Sequence, residues 1–129
     1  MAYNKPGWFV RNVYNRVAKT FGLGGSEQLE VVGRATGSAQ SVPVTPVEVA
    51  GTTYLVSVRG DAEWVRNLEA AGRAGTLVGK KRRRAFTASP VADPSPVIAA
   101  YRAKVGTAID PIWNKLPDDK DHPVYALTF

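Results

Sequence analysis

From Pro6 to Phe21 the apolar residues Trp8, Phe9, Val13, Val17 and Phe21 recur at spacings of three and four, with Arg11, Asn12, Asn15, Arg16 and Lys19 between them. That period predicts an amphipathic helix stopped by Gly22. Leu23-Gly24-Gly25-Ser26 reads as a short link, after which the period changes to two. Gln28 to Val32, Val42 to Val49 and Tyr54 to Val58 are rich in Val and Thr and alternate or run apolar, as strands do. Gly51 marks a hairpin turn, and Pro43 and Pro46, which cannot donate to a ladder, predict that the second strand is bulged or at an edge.

Asp61 is a good N-cap residue, with Glu63 in the first turn after it. Trp64, Val65 and Leu68 share one face of the predicted helix, and Gly72 falls just past its end. Thr76–Val78 and Arg84–Val91 predict a second hairpin with the basic run at its turn. Asp93-Pro94 opens another helix with Val97, Tyr101 and Val105 every fourth residue, ended by Gly106. A loop with Ile109, Ile112 and Trp113 follows, and Val124–Phe129 closes the chain as a strand. The sum is about six short strands, mostly hairpin-linked, with two or three helices. This is an α+β chain built on a small barrel, with residues 1–22 as a helix and 23–129 as one domain.

The 129 residues, 44% of them hydrophobic, suit one core. With no cysteine, disulfides, Cys-ligated zinc, iron–sulfur clusters and thiol catalysis are excluded, and the single histidine, His122, excludes a multi-His metal site. No apolar run nears the roughly 20 residues that cross a bilayer, and the first residues lack the order of a signal peptide. A cytoplasmic address is therefore expected.

The formal charge of +6 is local. Lys5, Arg11, Arg16 and Lys19 together with the run at residues 80–84 hold nine of the 17 Lys and Arg, and the remainder of the chain is formally −3. A dense run at a hairpin tip is ordinarily solvated. The only ring near it is Phe86, which argues against a nucleic-acid groove and its stacking aromatics.

Three places could carry chemistry, each with a plain alternative. The segment Gly33-Arg34-Ala35-Thr36-Gly37-Ser38 combines glycines that let backbone N–H groups converge with an arginine fork suited to phosphate or carboxylate, or it is a hairpin turn with a solvated arginine. Trp64 and Asn67 share a helix face, as pocket wall or as core residue beside a solvated amide. Ser57, in a strand beside Arg59-Gly60, is a site hydroxyl or an ordinary strand serine. His122, before the last strand, has no partner for catalysis and reads as structural.

Taken in order, Gly33-Arg34-x-Thr36-Gly37, Val42-Pro43-Val44, Tyr54-Leu55-Val56, Gly60-x-x-x-Trp64-Val65-Arg66-Asn67-Leu68 and His122-Pro123-Val124 resemble the deazaflavin-dependent nitroreductase family. These are actinobacterial split-β-barrel proteins related to the FMN-binding split barrels, and the resemblance covers about residues 25–129. It implies a split β-barrel that binds coenzyme F420 rather than FMN. Gly33, Arg34, Thr36 and Gly37 would face the phosphorylated tail, and Pro43, Ser57, Arg59, Trp64 and Asn67 would complete the cofactor site. Ser57 would act at the reacting ring edge, and Ile109, Ile112 and Trp113 would line the substrate pocket. The chain departs from the family pattern at Ala35 and Gln40, where the family commonly has basic residues, and at Val58, where it often has lysine.

The implied activity is hydride transfer from the reduced deazaflavin to an electrophilic acceptor such as a quinone or nitro compound. It needs no nucleophile, in keeping with a chain that offers no triad. The alternative is a non-catalytic lipid- or fatty-acid-binding or membrane-associated split barrel with a degenerate cofactor site; residues 6–21 would lie on an anionic membrane surface at the inner face of the plasma membrane or pack on the barrel or a dimer partner. A homodimer is expected of such barrels, and a nucleic-acid partner is not.

Overall fold

The computed structural model describes residues 27–79 and 82–129. The helix expected over residues 6–21, and with it the expected membrane contact, lies outside the described residues, as do Lys80 and Lys81. Among the described residues no helix is long and apolar enough to cross a membrane.

Seven strands form one antiparallel sheet: β1 (Glu27–Val32), β2 (Ala39–Val44), β3 (Val47–Val49), β4 (Thr52–Val56), β5 (Ala74–Val78), β6 (Arg83–Pro90) and β7 (Val124–Thr128). Their order across the sheet is β2-β1-β5-β6-β7-β4-β3. Helix α1 (Glu63–Ala70) joins β4 to β5. Helix α2 (Ser95–Val105), a 3-10 turn (Gly106–Ile109) and the short α3 (Asp110–Trp113) lie between β6 and β7.

The stretch expected as one strand, Val42–Val49, is two. Its halves pair at opposite edges of the sheet, β2 with β1 and β3 with β4. Only Thr45 and Pro46 separate them, a link that spans no more than about 11 Å between the flanking Cα atoms. Seven strands laid flat at about 4.8 Å spacing would hold their edges nearly 30 Å apart. The sheet must therefore curl until its edges approach, which makes it a half-barrel. Pro43 sits on an edge strand, as its missing N–H requires.

The curled sheet buries apolar side chains on both faces. In β4 Leu55 enters one cluster and Val56 the other, and in β7 Tyr125 and Val124 divide the same way. The first cluster holds Leu29, Val31, Leu77 and Phe86 beneath Trp64, Val65 and Leu68 of α1. The second holds Val47 and Val58 beneath Val97, Ile98 and Tyr101 of α2.

The turns follow the sequence signals. Ala50 and Gly51 both have positive φ, +51° and +84°, as the two-residue β3–β4 hairpin needs. Asp61 is not the N-cap of α1. Ala62 occupies that position with extended backbone and no side-chain cap, while the Asp61 carboxylate accepts from Arg66 Nε at 2.9 Å. The segment after Gly106, expected as a loop, is helical through Trp113.

Candidate functional site

The β1–β2 connection, Gly33–Ser38, is closed by its own backbone. Gly33 N–H donates to the Ser38 carbonyl at 2.7 Å, and Gly37 N–H donates to the Gly33 carbonyl at 2.8 Å. Ser38 N–H donates to Thr36 Oγ1 at 3.2 Å. Gly37 has φ +70° with open space around it, so glycine is required there by backbone conformation rather than by crowding. The Arg34 amide is bonded as well, across the fold. The amides of Ala35 and Thr36, at the exposed tip, donate to no backbone acceptor among the described residues, and two successive N–H groups in a turn are a natural anion seat.

Helix α1 fixes the loop. Glu63 and Asn67 lie one turn apart on a shared face. Asn67 Oδ1 accepts twice, from the Arg34 backbone N–H at 3.1 Å and from Arg34 Nη1 at 2.7 Å. Arg34 Nη1 also donates to Glu63 Oε2 at 2.9 Å. Arg34 is thus turned onto the start of α1 by a buried amide and an exposed carboxylate. Glu63 has no role in the sequence reading beyond favouring the helix N-terminus. Its i, i+4 relation to Asn67 was the available signal, and the bond to Arg34, 29 residues away, was not.

Behind this loop lies the β4–α1 junction. Ser57 is 0% exposed, and its hydroxyl donates to the Gly60 carbonyl at 2.6 Å. Its N–H donates to the Pro123 carbonyl at 2.9 Å. Expected as a hydroxyl at the reacting edge, Ser57 instead shapes the turn that carries Arg59 and Gly60. A buried hydroxyl has to find a partner, and Gly60 is three residues away. Arg59 is buried with it.

His122 is the structural residue it was expected to be. Nδ1 lies 2.8 Å from the Ser57 carbonyl, and Nε2 faces the Leu116 carbonyl. The ring stacks on Trp113 at 3.5 Å with 5° between the planes. One side chain thereby ties the Ser57 turn to α3 and to the segment after it.

Trp64 packs edge-on to Tyr125 with 6.2 Å between ring centroids, and its indole Nε1 is buried with no hydrogen-bond partner among the described residues. The Tyr125 hydroxyl donates to Glu69 Oε2 at 2.7 Å. Burial foremost, and then the Glu69 carboxylate, push that phenol above its usual range. Glu69 is held below the ordinary carboxylate range, chiefly by its hydrogen bond from Arg73 and then by that from Tyr125.

The structure brings Gly33, Arg34, Thr36, Gly37 and Asn67 together, with Trp64 on the same helix and Ser57 and Arg59 just before it. Pro43 is buried in β2, opposite Gln28 of β1. Ile109 and Trp113, expected to line a substrate pocket, are 0% and 1% exposed and belong to the second core cluster, with Ile112 packed against it. The apolar character of this segment serves the core. Arg83 and Arg84 of the basic run pair with Glu30 and Glu27 of β1, and Arg84 also lies over the Phe129 ring. Among the described residues no group of three or more potential ligands could hold a metal ion.

A model of the F420H(2)-dependent quinone reductase family matches residues 4–110. Among solved structures, an F420-H2 dependent reductase, FDR-A, superposes with a TM-score of 0.54 at 17% identity over 81% of this chain and 95% of that one. The heme storage protein HutZ from Vibrio cholerae gives 0.56 at 19% identity over 90% and 89%. A protein solved as a domain-swapped dimer gives 0.55 at 16% identity over 96% and 100%. No curated protein sequence matches. At these identities the likeness establishes the fold, a split barrel with its curled antiparallel sheet.

Proposed function

Because the chain belongs to the F420H(2)-dependent quinone reductase family, we propose that it is an F420-dependent oxidoreductase whose loop Gly33–Ser38 holds the anionic tail of the cofactor and whose acceptor is a quinone. Reduced F420 supplies a hydride from its deazaflavin ring. The chain's own residues bind, orient and exclude water.

The observation that carries this reading is the docking of Arg34 on Asn67, beside the two amides of Ala35 and Thr36. A phosphodiester and carboxylates need charge-assisted and backbone donors converging on one spot, and this loop provides both. The residues fit the cofactor at a second point. The Trp64 indole N–H is a buried donor without an acceptor among the described residues, a state that costs about 1–3 kcal/mol and that a ligand carbonyl reaching it would relieve. Asn67 positions Arg34 and the loop, Ser57 and His122 hold the turn that presents Arg59, and Gly33 and Gly37 allow the backbone its course.

The lipid-binding alternative rested on Ala35 and Gln40, on a basic amphipathic helix over residues 6–21, which lies outside the described residues, and on an apolar loop at residues 109–113. Of these, the loop no longer supports it, because Ile109 and Trp113 fill the core. Titration of the protein into coenzyme F420, followed by fluorescence quenching, tests binding. Oxidation of the reduced cofactor on addition of a naphthoquinone tests the reaction. Saturable quenching with quinone-dependent oxidation is expected. Absence of quenching at protein concentrations up to the millimolar range overturns the proposal.

A further inference from the structure

Glu63 lies where Arg34 meets the start of α1. Its carboxylate sits on the first residue of α1, whose cap provides no side-chain acceptor, and it bonds the same Arg34 Nη1 that Asn67 orients. The favourable charge at a helix start and the arginine fork are thus both answered by a side chain of the protein itself. The carboxylate is 55% exposed and the arginine 34%, so the pair can exchange with solvent. Arg34 is the only basic residue in Gly33–Ser38, with Ala35 beside it, so an anion arriving at the loop meets no second cation within it.

We propose that Glu63 is an internal competitor for Arg34, a stand-in for the phosphate or carboxylate of the ligand, and that it sets how strongly this site selects for an anionic tail. The inference rests on the cofactor reading given above. An anion engaging Arg34 must displace the Glu63 carboxylate or lie beside it, and either lowers affinity. The competition falls on the charged tail alone and leaves the ring portion of the cofactor untouched.

The test compares the parent chain, Glu63→Gln and the double variant Arg34→Ala/Glu63→Gln, each titrated with F420, with the deazaflavin that lacks phosphate and tail, and with inorganic pyrophosphate, at one fixed ionic strength. Glu63→Gln is expected to bind F420 and pyrophosphate about fivefold more tightly than the parent, a change of about 1 kcal/mol, the order of one exposed ion pair. Its affinity for the tail-less deazaflavin is expected to be unchanged, and the double variant to lose the gain. Equal dissociation constants for parent and Glu63→Gln with pyrophosphate overturn the inference, as does an equal gain for the tail-less compound. If Glu63→Gln gains pyrophosphate affinity while neither chain binds F420, the competition stands and the cofactor reading fails. Circular dichroism of each variant confirms the fold.

Discussion

Removing the Asn67 side chain at the amide, Asn67→Ala, cuts the buried acceptor that, together with the exposed Glu63 carboxylate, holds the Gly33–Ser38 loop to α1. Two bonds end on its oxygen. The bond from the Arg34 backbone N–H is a neutral one, worth about 1 kcal/mol. The bond from Arg34 Nη1 is charge-assisted and would rank higher, but the guanidinium is a third exposed and keeps Glu63, so about 1 kcal/mol is the appropriate figure. The expected loss is about 2 kcal/mol, or a fall in Tm of about 8 °C for a domain of this size. Urea unfolding followed by tryptophan fluorescence measures it, as a lower midpoint at unchanged slope. Asn67→Asp supplies the contrast. It keeps both acceptor bonds and hence the stability, yet adds a second carboxylate against Arg34, so F420 affinity should fall while the fold holds. If Asn67→Ala unfolds within about 0.5 kcal/mol of the parent, the loop is not docked through Asn67, and the account of Arg34 falls with it.

Three further outcomes follow from the packing. Ile109→Val removes one methylene from a fully buried site and should cost about 0.5–1.5 kcal/mol in urea without altering the KM for a quinone, whereas a pocket-lining residue would move the KM. Gly75→Ala would place a Cβ 2.9 Å from the Phe86 ring and 3.1 Å from the Glu30 carbonyl, neither free to yield, so about 1–3 kcal/mol is lost. Gly33→Ala meets the flexible Gln40 side chain at 2.9 Å and the Thr36 hydroxyl at 3.0 Å, side-chain atoms rather than backbone, and should cost less in the same melt. The Tyr125 phenol ionises above its ordinary range in the fold, so its protonated form is favoured there. The stability it contributes is complete below about pH 10 and is lost as pH rises beyond that value, while Tyr125→Phe should flatten this alkaline loss in a series of thermal melts.

The order of strands and helices could be read along the chain because each signal is local. Alternating Val and Thr, the positive-φ glycines at Gly51, Gly72 and Gly106, and the donor missing from Pro43 each act within a few residues. Asp61 shows where that reasoning stops. Its type suits an N-cap, but Arg66, five residues on, offered a charged partner, and the helix began two residues later. Ile109 and Trp113 show the same limit from the other side. An apolar loop facing a substrate and one facing the core have the same composition, and only the arrival of Val58, Val97 and the His122 ring from distant segments settled which this is.

By itself the sequence determined a β-rich fold without thiol or multi-histidine metal chemistry. It also held, in the paired motifs around Arg34 and Asn67, the mark of a deazaflavin-binding family. The tertiary structure alone decided that Val42–Val49 divides at Pro46 and sends its halves to opposite edges, because pairing partners far along the chain choose a strand's place. It alone decided that Arg34 is held by Asn67 and shared with Glu63. A charge along the chain has no partner until folding removes the distance, and what Arg34 can still bind depends on the carboxylate already beside it.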